Sequence, residues 1–245
     1  MDSGFYASCA GLRAQSQALE VAAHNLANLS TGGFRGQQPS FQSLLALNRP
    51  AASNVLNLAV NNFGVLEGSH LDLTAGNLQT TGNPLDFGIE GDGFFAIQTA
   101  RGTRYTRNGS FRVDRGGQLV TASGDAVLGD NRAPIRLPSG AVSVSADGTI
   151  SVNSAVAGKI RLVEFVPGTN LVSEGDTLLR APDGSEQSPR QTSVRQGTLE
   201  SSNVNSVSAV MTLIQVQREA EMMQRALSLF HSEFNRIAAN DVPRV

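Results

Sequence analysis

The chain has 245 residues, 40% of them apolar, 16% charged and 5% aromatic, with 25 glycines and no tryptophan, enough to bury a lean core in one large domain or two small ones. Its 19 basic and 21 acidic residues give a formal charge of -2, so no global positive field is present to hold a phosphate backbone, and nucleic acid is not an expected partner. The single cysteine, Cys9, forbids an intrachain disulfide and a multi-cysteine metal site, and no run approaches the roughly 18 apolar residues of a membrane span.

Residues 1 to 30 lack the basic start and apolar core of a cleavable signal peptide, so membrane insertion and general secretory export are not expected. They read instead as a helix. Phe5, Cys9, Leu12, Ser16, Leu19, Ala23 and Leu26 recur at alternating spacings of four and three, the seam of a helix that packs on another helix. Asp2 or Ser3 is placed to cap its start and Gly32-Gly33 to stop it. Ser16 is polar and Cys9 and Ala23 are small, so this seam needs a partner.

Residues 35 to 83, rich in Asn, Gln, Ser and Gly, show no sustained period and predict an extended connector. From residue 84 the apolar period falls to about 2. Strands are expected at 85–89, 93–97, 110–113, 118–121, 142–144, 149–152 and 160–165, with turns at Asp92-Gly93, Asn108-Gly109, Gly116-Gly117 and Asp147-Gly148. Short strands at this spacing predict an all-β domain over residues 84 to 196.

Residues 197 to 245 return to the helical period. Ala209, Leu213, Val216, Ala220, Met223, Leu227, Phe230, Phe234 and Ile237 keep the four-and-three spacing with every position apolar. Asn205 or Ser206 caps this helix and Asn240 with Pro243 ends it, about 34 residues and roughly 50 Å. Its polar face carries Gln215, Gln217, Arg218, Glu221, Gln224, Arg225 and Arg236. The short N-terminal helix, residues 1 to 34, cannot cover so long a seam, so neighbouring subunits are expected to bury the remainder. The expected class is α+β, with N- and C-terminal helices pairing as a coiled-coil-like layer that flanks a central all-β domain.

Catalytic chemistry finds little support. Gly88 to Gly93 is glycine-rich, but a dinucleotide loop needs a helix after it, and Phe94 to Gln98 reads as a strand. His24, His70 and His231 have no ligand-spaced neighbours, and no serine sits in a nucleophile elbow. No catalytic residue, cofactor or metal is expected. Arg101, Arg104, Arg107, Arg112 and Arg115, interleaved with Tyr105 and Phe111, are expected to alternate outward from a strand pair, with contact to a wall polyanion as the sharper alternative. Two rival functions remain: a wall-remodelling enzyme, for which Glu90, Asp92 and Asp114 are the nearest carboxylates, and a secreted adhesin trimerised by its C-terminal helix.

Three blocks carry a resemblance. Ala23 to Phe34 (AHNLANLSTGGF) resembles the N-terminal signature of the bacterial flagellar rod and hook axial proteins. Gly197 to Asn205, followed by Leu213 to Arg218, resembles their C-terminal signature, and Asn83 to Phe95 with Tyr105 to Phe111 resembles the start of their β domain. His24 stands where the family usually has asparagine and Gly32 where a bulkier residue is common. The length, the short connector and Gly129 to Ile135 look more like the proximal-rod members than the distal-rod ones.

The resemblance implies a non-enzymatic structural subunit of the periplasmic rod of the basal body, exported by the flagellar apparatus without a cleaved signal and polymerising through its terminal helices to transmit torque. Its implied partners are copies of itself, other rod proteins and the export apparatus, in proximity to peptidoglycan. Within the first signature Asn25, Leu26, Asn28, Thr31, Gly33 and Phe34 form the helix-end motif, the asparagines placed to bond freed carbonyls and Gly33 to turn left-handed.

Overall fold

The computed structural model describes residues 2–42, 65–175 and 177–241. The chain divides into two compact units, one of Met1–Ala27, Gln37–His70 and Asn205–Val245, the other of Asn28–Gly36 and Leu71–Val204. The central part of the expected connector, 43–64, lies outside the described residues, as does Pro243. The rest of that connector carries three strands, β1 (Gln37–Gln42), β2 (Val65–Leu71) and β3 (Leu78–Thr80).

The first unit is built on α1 (Asp2–Ala27) and α2 (Ser206–Asp241), which lie against each other, and on the β1–β2 pair. Asn205 is the cap of α2. Its Oδ1 accepts the Ser208 N–H at 3.0 Å and its carbonyl accepts the first helical bond from Ala209 at 2.9 Å. At 36 residues α2 is about 54 Å long. The fully buried line of α1 is Gly11, Ala14, Ala18 and Ala22, small residues that let another helix approach closely. Gln15 crosses to α2, its Nε2 donating to the Val216 carbonyl at 3.2 Å and to Glu219 at 2.8 Å.

The second unit is β, and its centre is β5 (Phe94–Thr99). Successive side chains of a strand point to opposite faces. Phe95 and Ile97 enter one core with Phe87, Phe111, Leu119, Ile150 and Ile160, while Phe94 and Ala96 enter a second with Tyr105, Val163 and Leu179. Burial on both faces is why residues 94 to 97 read as an unbroken apolar run. The Phe95 and Phe111 rings meet edge to face at 5.1 Å, and those of Tyr105 and Phe165 at 4.9 Å.

β5 pairs antiparallel with β6 (Gly102–Thr106), β9 (Ala126–Val127) and β13 (Leu162–Phe165). The sheet runs outward through β6 to β15 (Leu179–Arg180) and β14 (Val172–Ser173). β10 (Val142–Val144), β11 (Thr149–Val152) and β12 (Ala155–Lys159) form a separate antiparallel sheet. β4 (Phe87–Glu90) pairs with β17 (Ser193–Gln196), and β3 with β18 (Thr198–Glu200), which brings the end of the β unit back beside its beginning.

Candidate functional site

In the second unit the two terminal signatures meet around one carboxylate. Glu200 ends β18, and its Oε1 accepts hydrogen bonds from Arg35 Nη2 and from the Gly76 N–H, both at 2.7 Å. Its Oε2 accepts Arg107 Nη1 at 3.2 Å. The three charged side chains are at most 2% exposed. Arg107 also donates to the Gly91 carbonyl at 2.6 Å, and its guanidinium lies 4.8 Å over the Phe94 ring. Burial pulls the Arg107 pKa below its ordinary value, against the opposing pull of Glu200. Two cations thus share one anion, and Arg35 Nε and Nη1 and Arg107 Nε have no hydrogen-bond partner among the described residues.

The path into this cluster depends on Gly33. Its φ is +69°, its N–H donates to the Glu200 carbonyl at 2.7 Å, and a Cβ there would stand 2.2 Å from the Asn108 nitrogen. Only glycine fits both conditions. Phe34 is then buried at 1% exposure. Asn203, from the C-terminal signature, fixes the next step: its Oδ1 accepts the Gly36 N–H at 2.8 Å, and its Nδ2 donates to the Asp72 and Thr74 carbonyls at 2.8 and 3.0 Å.

The other residues of the helix-end motif divide between the units. α1 stops at Ala27, ahead of the expected Gly32-Gly33, and a turn follows in which Thr31 donates from its N–H to the Asn28 carbonyl and from its hydroxyl to Asn28 Oδ1. Asn28 is buried. Asn25 does not serve the helix carbonyls. Its amide pairs with both backbone groups of Gln37, at 2.7 and 2.8 Å, and so starts β1. Leu26 is half-buried.

Of the expected seam, Leu12, Leu19 and Leu26 on α1 are half-buried, whereas Ser16 and Ala23 are exposed. On α2, Ala209 is buried and Leu213, Val216, Ala220, Met223 and Leu227 are half-buried. The side chains of Phe5, Cys9, Phe230, Phe234 and Ile237 lie outside those described. A second apolar line runs along α2. Val207, Val210, Met211, Ile214, Met222 and Leu229 are all exposed, Met211 at 66% and Leu229 at 69%. At 100° per residue these positions fall on the side of the helix opposite the half-buried line, where Arg218, Glu221 and Arg225 also lie, so that Val207, Val210, Met211 and Ile214 form one apolar strip and Met222 and Leu229 stand singly beside charges.

The outward orientation expected for the arginine stretch fails at two positions. Arg104 and Arg107 are buried, because a carboxylate partner, Glu174 for one and Glu200 for the other, offsets their desolvation; Arg101, Arg112 and Arg115 are exposed. Of the rival carboxylates, Glu90 is held by Arg195 at 2.9 Å, and Asp114 accepts the N–H groups of Gly116 and Gln118 at 2.8 Å as a turn residue; Asp92 is an exposed bend residue. Among the described residues no group of three His, Cys, Asp or Glu is placed to hold a metal ion, and no helix is long and apolar enough to cross a membrane.

Three family models match the chain: flagella basal body rod protein over residues 5–35, flagellar hook protein FlgE/F/G D1 domain over 88–152, and flagellar basal body rod FlgEFG protein C-terminal over 195–232. The chain is 34% identical over 226 residues to the flagellar basal-body rod protein FlgF of Mesorhizobium japonicum, covering 90% of each. It is 36% identical over 248 residues to the FlgF of Escherichia coli, covering 93% of this chain and 94% of that one. The chain belongs to the flagellar basal-body rod protein family. It is also 32% identical over 253 residues to the rod protein FlgG of Buchnera aphidicola, with 93% and 95% covered.

A rod protein is a structural part of the flagellar basal body and not an enzyme, which removes the wall-remodelling reading. Arg35 closes the first matched segment and Glu200 lies in the last, so the buried ion pair joins the two terminal blocks of the family. The C-terminal signature contains Glu200 and Asn203, but sequence reasoning assigns neither a role. A signal is present all the same: Glu200 is the lone charge between Gly197 and Asn205, and Arg35 follows directly on Phe34.

Proposed function

We propose that this rod protein is a proximal-rod subunit that polymerises through its terminal helices and transmits torque along the rod. In this reading α1 and α2 pair as a coiled-coil-like layer along Phe5, Leu12, Leu19 and Leu26 on one helix and the line from Ala209 to Ile237 on the other. The exposed line of α2 is then covered by neighbouring subunits. Its first two turns carry the proposal, because Val207, Val210, Met211 and Ile214, at i, i+3, i+4 and i+7, form an exposed apolar strip that water does not favour and a repeated neighbour buries, with Met222 and Leu229 further along the same face. In this reading the contacts are heterologous and do not close on a ring, the arrangement that builds an open helical polymer. The length and the Gly129 to Ile135 segment support the proximal position.

The subunit reaches its place through the flagellar export apparatus without a cleaved signal, with its β unit toward the peptidoglycan. The test is a Met211→Glu, Met222→Glu chain expressed in a strain lacking the gene. Both side chains are exposed, so the variant keeps the thermal midpoint of the parent, yet it is expected to leave cells immotile. Full motility with this variant would remove the exposed line from assembly.

A further inference from the structure

We propose that Asn28 to Gly36 form a strap on the β unit, one that seats on a fold already complete without it and opens without unfolding that fold. The seat comes from residues further along the chain. Glu200 is carried on β18, which pairs with β3, and its carboxylate accepts the Gly76 N–H at 2.7 Å and Arg107 Nη1 at 3.2 Å. Arg107 follows β6 and donates to the Gly91 carbonyl, just after β4, at 2.6 Å. Asn203 is held by the Asp72 and Thr74 carbonyls at 2.8 and 3.0 Å. Within the seat, Arg107 and Glu200 therefore balance one buried cation against one buried anion.

The strap adds a second cation to that balanced pair. Arg35 gives Glu200 one nitrogen at 2.7 Å, while its Nε and Nη1 are buried and have no hydrogen-bond partner among the described residues. Its desolvation is the least compensated in the cluster, which weakens the hold on the strap. Holding it down are buried Phe34 and the bonds from Gly33 N–H to the Glu200 carbonyl at 2.7 Å, from Gly36 N–H to Asn203 Oδ1 at 2.8 Å and from Asn203 N–H to the Phe34 carbonyl at 3.4 Å. Arg35 and Glu200 stand 165 residues apart, and closing so long a loop in an unfolded chain loses entropy. Pairing β3 with β18 first shortens the loop still to be closed to the stretch from Arg35 to Leu78, so the seat forms before the strap.

The strap's neighbours along the chain, Ala27 and Gln37, belong to the first unit. Opening it releases the chain between α1 and β1 and leaves the β unit joined at Leu71 and Val204 alone. The strap is thus a tether that can be let out while the sheet stays folded, a local opening rather than a global one.

The test is native-state amide exchange on the full chain, isotope-labelled and followed by NMR at increasing urea below the unfolding transition. The Gly33 and Gly36 amides report the strap; those of Gly197 and Ser201, bonded to the Asp86 and Asn77 carbonyls, report the seat; those of Leu128 and Ile135, bonded to the Ala96 and Val127 carbonyls, report the core. The strap amides are expected to exchange at least about a hundredfold faster than the other four, at rates nearly independent of urea because little surface is exposed. Arg35→Met leaves the Arg107–Glu200 pair balanced and should speed the strap amides about tenfold to a hundredfold further. Equal protection and urea dependence across all six amides would overturn the proposal by showing one cooperative unit, and seat amides that exchange with the strap would overturn it by showing that β18 opens instead. Strap amides that Arg35→Met leaves unchanged would also overturn it.

Discussion

Replacing Glu200 with glutamine isolates the charge of the buried cluster from its shape. The amide has nearly the same volume as the carboxylate and keeps one acceptor oxygen, but leaves Arg35 and Arg107, each 2% exposed, without a counter-charge in surroundings that exclude water. Removing one partner of a buried ion pair costs about 3 to 5 kcal/mol, because the remaining charge stays desolvated. Two cations are stranded here and three of their nitrogens already lack partners among the described residues, so the upper half of that range is expected. With a urea slope of about 2 to 3 kcal/mol per molar, the midpoint should fall by about 1.3 to 2.5 M in a denaturation followed by far-UV circular dichroism. Glu90→Gln is the control, since its pair with Arg195 is 60% and 48% exposed and should contribute less than about 1 kcal/mol. A triple replacement, Arg35→Met, Arg107→Met and Glu200→Leu, should recover most of the loss, because no charge remains to be orphaned. Equal midpoints for Glu200→Gln and Glu90→Gln would refute the argument.

Three other results are expected. Gly33→Ala combines a left-handed backbone, about 1 to 2 kcal/mol, with a Cβ driven into the Arg107–Asn108 backbone, so it should lose more than about 3 kcal/mol; Gly124→Ala, at φ +95° in open space, should show the backbone cost alone in the same thermal melts. In acid, the β unit should weaken through its carboxylates. Glu164 is held below the ordinary range by the Thr192 hydroxyl and the Arg190 and Gln191 N–H groups, and Glu174 by its bonds with Arg104. For Glu186 burial alone would raise the pKa, but the Tyr105 hydroxyl and Arg161 hold it down. A depressed folded value gives stability that is whole above the unfolded value, about 4.3, and is lost as pH falls through the folded one; a stability profile flat from pH 6 to 3 would contradict this. In alkali the sign reverses for Tyr105. Burial first, then its bond to Glu186, raises its pKa, so its contribution is whole below about pH 10 and lost above; Tyr105→Phe should abolish that alkaline loss.

What the sequence makes legible follows from how each residue's partners are distributed. The strands between residues 87 and 165 that carry large apolar side chains are visible because alternation, or an unbroken run as at residues 94 to 97, is set by burial itself. β17 and β18 are not, since Ser193 to Gln196 and Thr198 to Glu200 are mostly polar and owe their strand state to β4 and β3, distant in sequence. β6 reads as a basic stretch because Arg104 is charged; its burial rests on Glu174, seventy residues away. The same holds for α1. Its leucines and aromatic residues dominate a search for apolar side chains, while the deepest line is alanine and glycine, which close approach favours and hydropathy undervalues. The Arg35–Glu200 pair can be suspected only by asking why one charge follows directly on the N-terminal signature and a lone charge stands inside the C-terminal one.

Assembly into the rod is tested most directly by deleting the gene in its host and imaging the cell envelope by electron cryotomography, with motility scored alongside and the gene restored as control. Immotile cells whose basal bodies stop at the inner-membrane ring or at a truncated rod are the expected result, and the point of truncation reads out the position in the rod. Complete, rotating flagella in the deletion strain would contradict it.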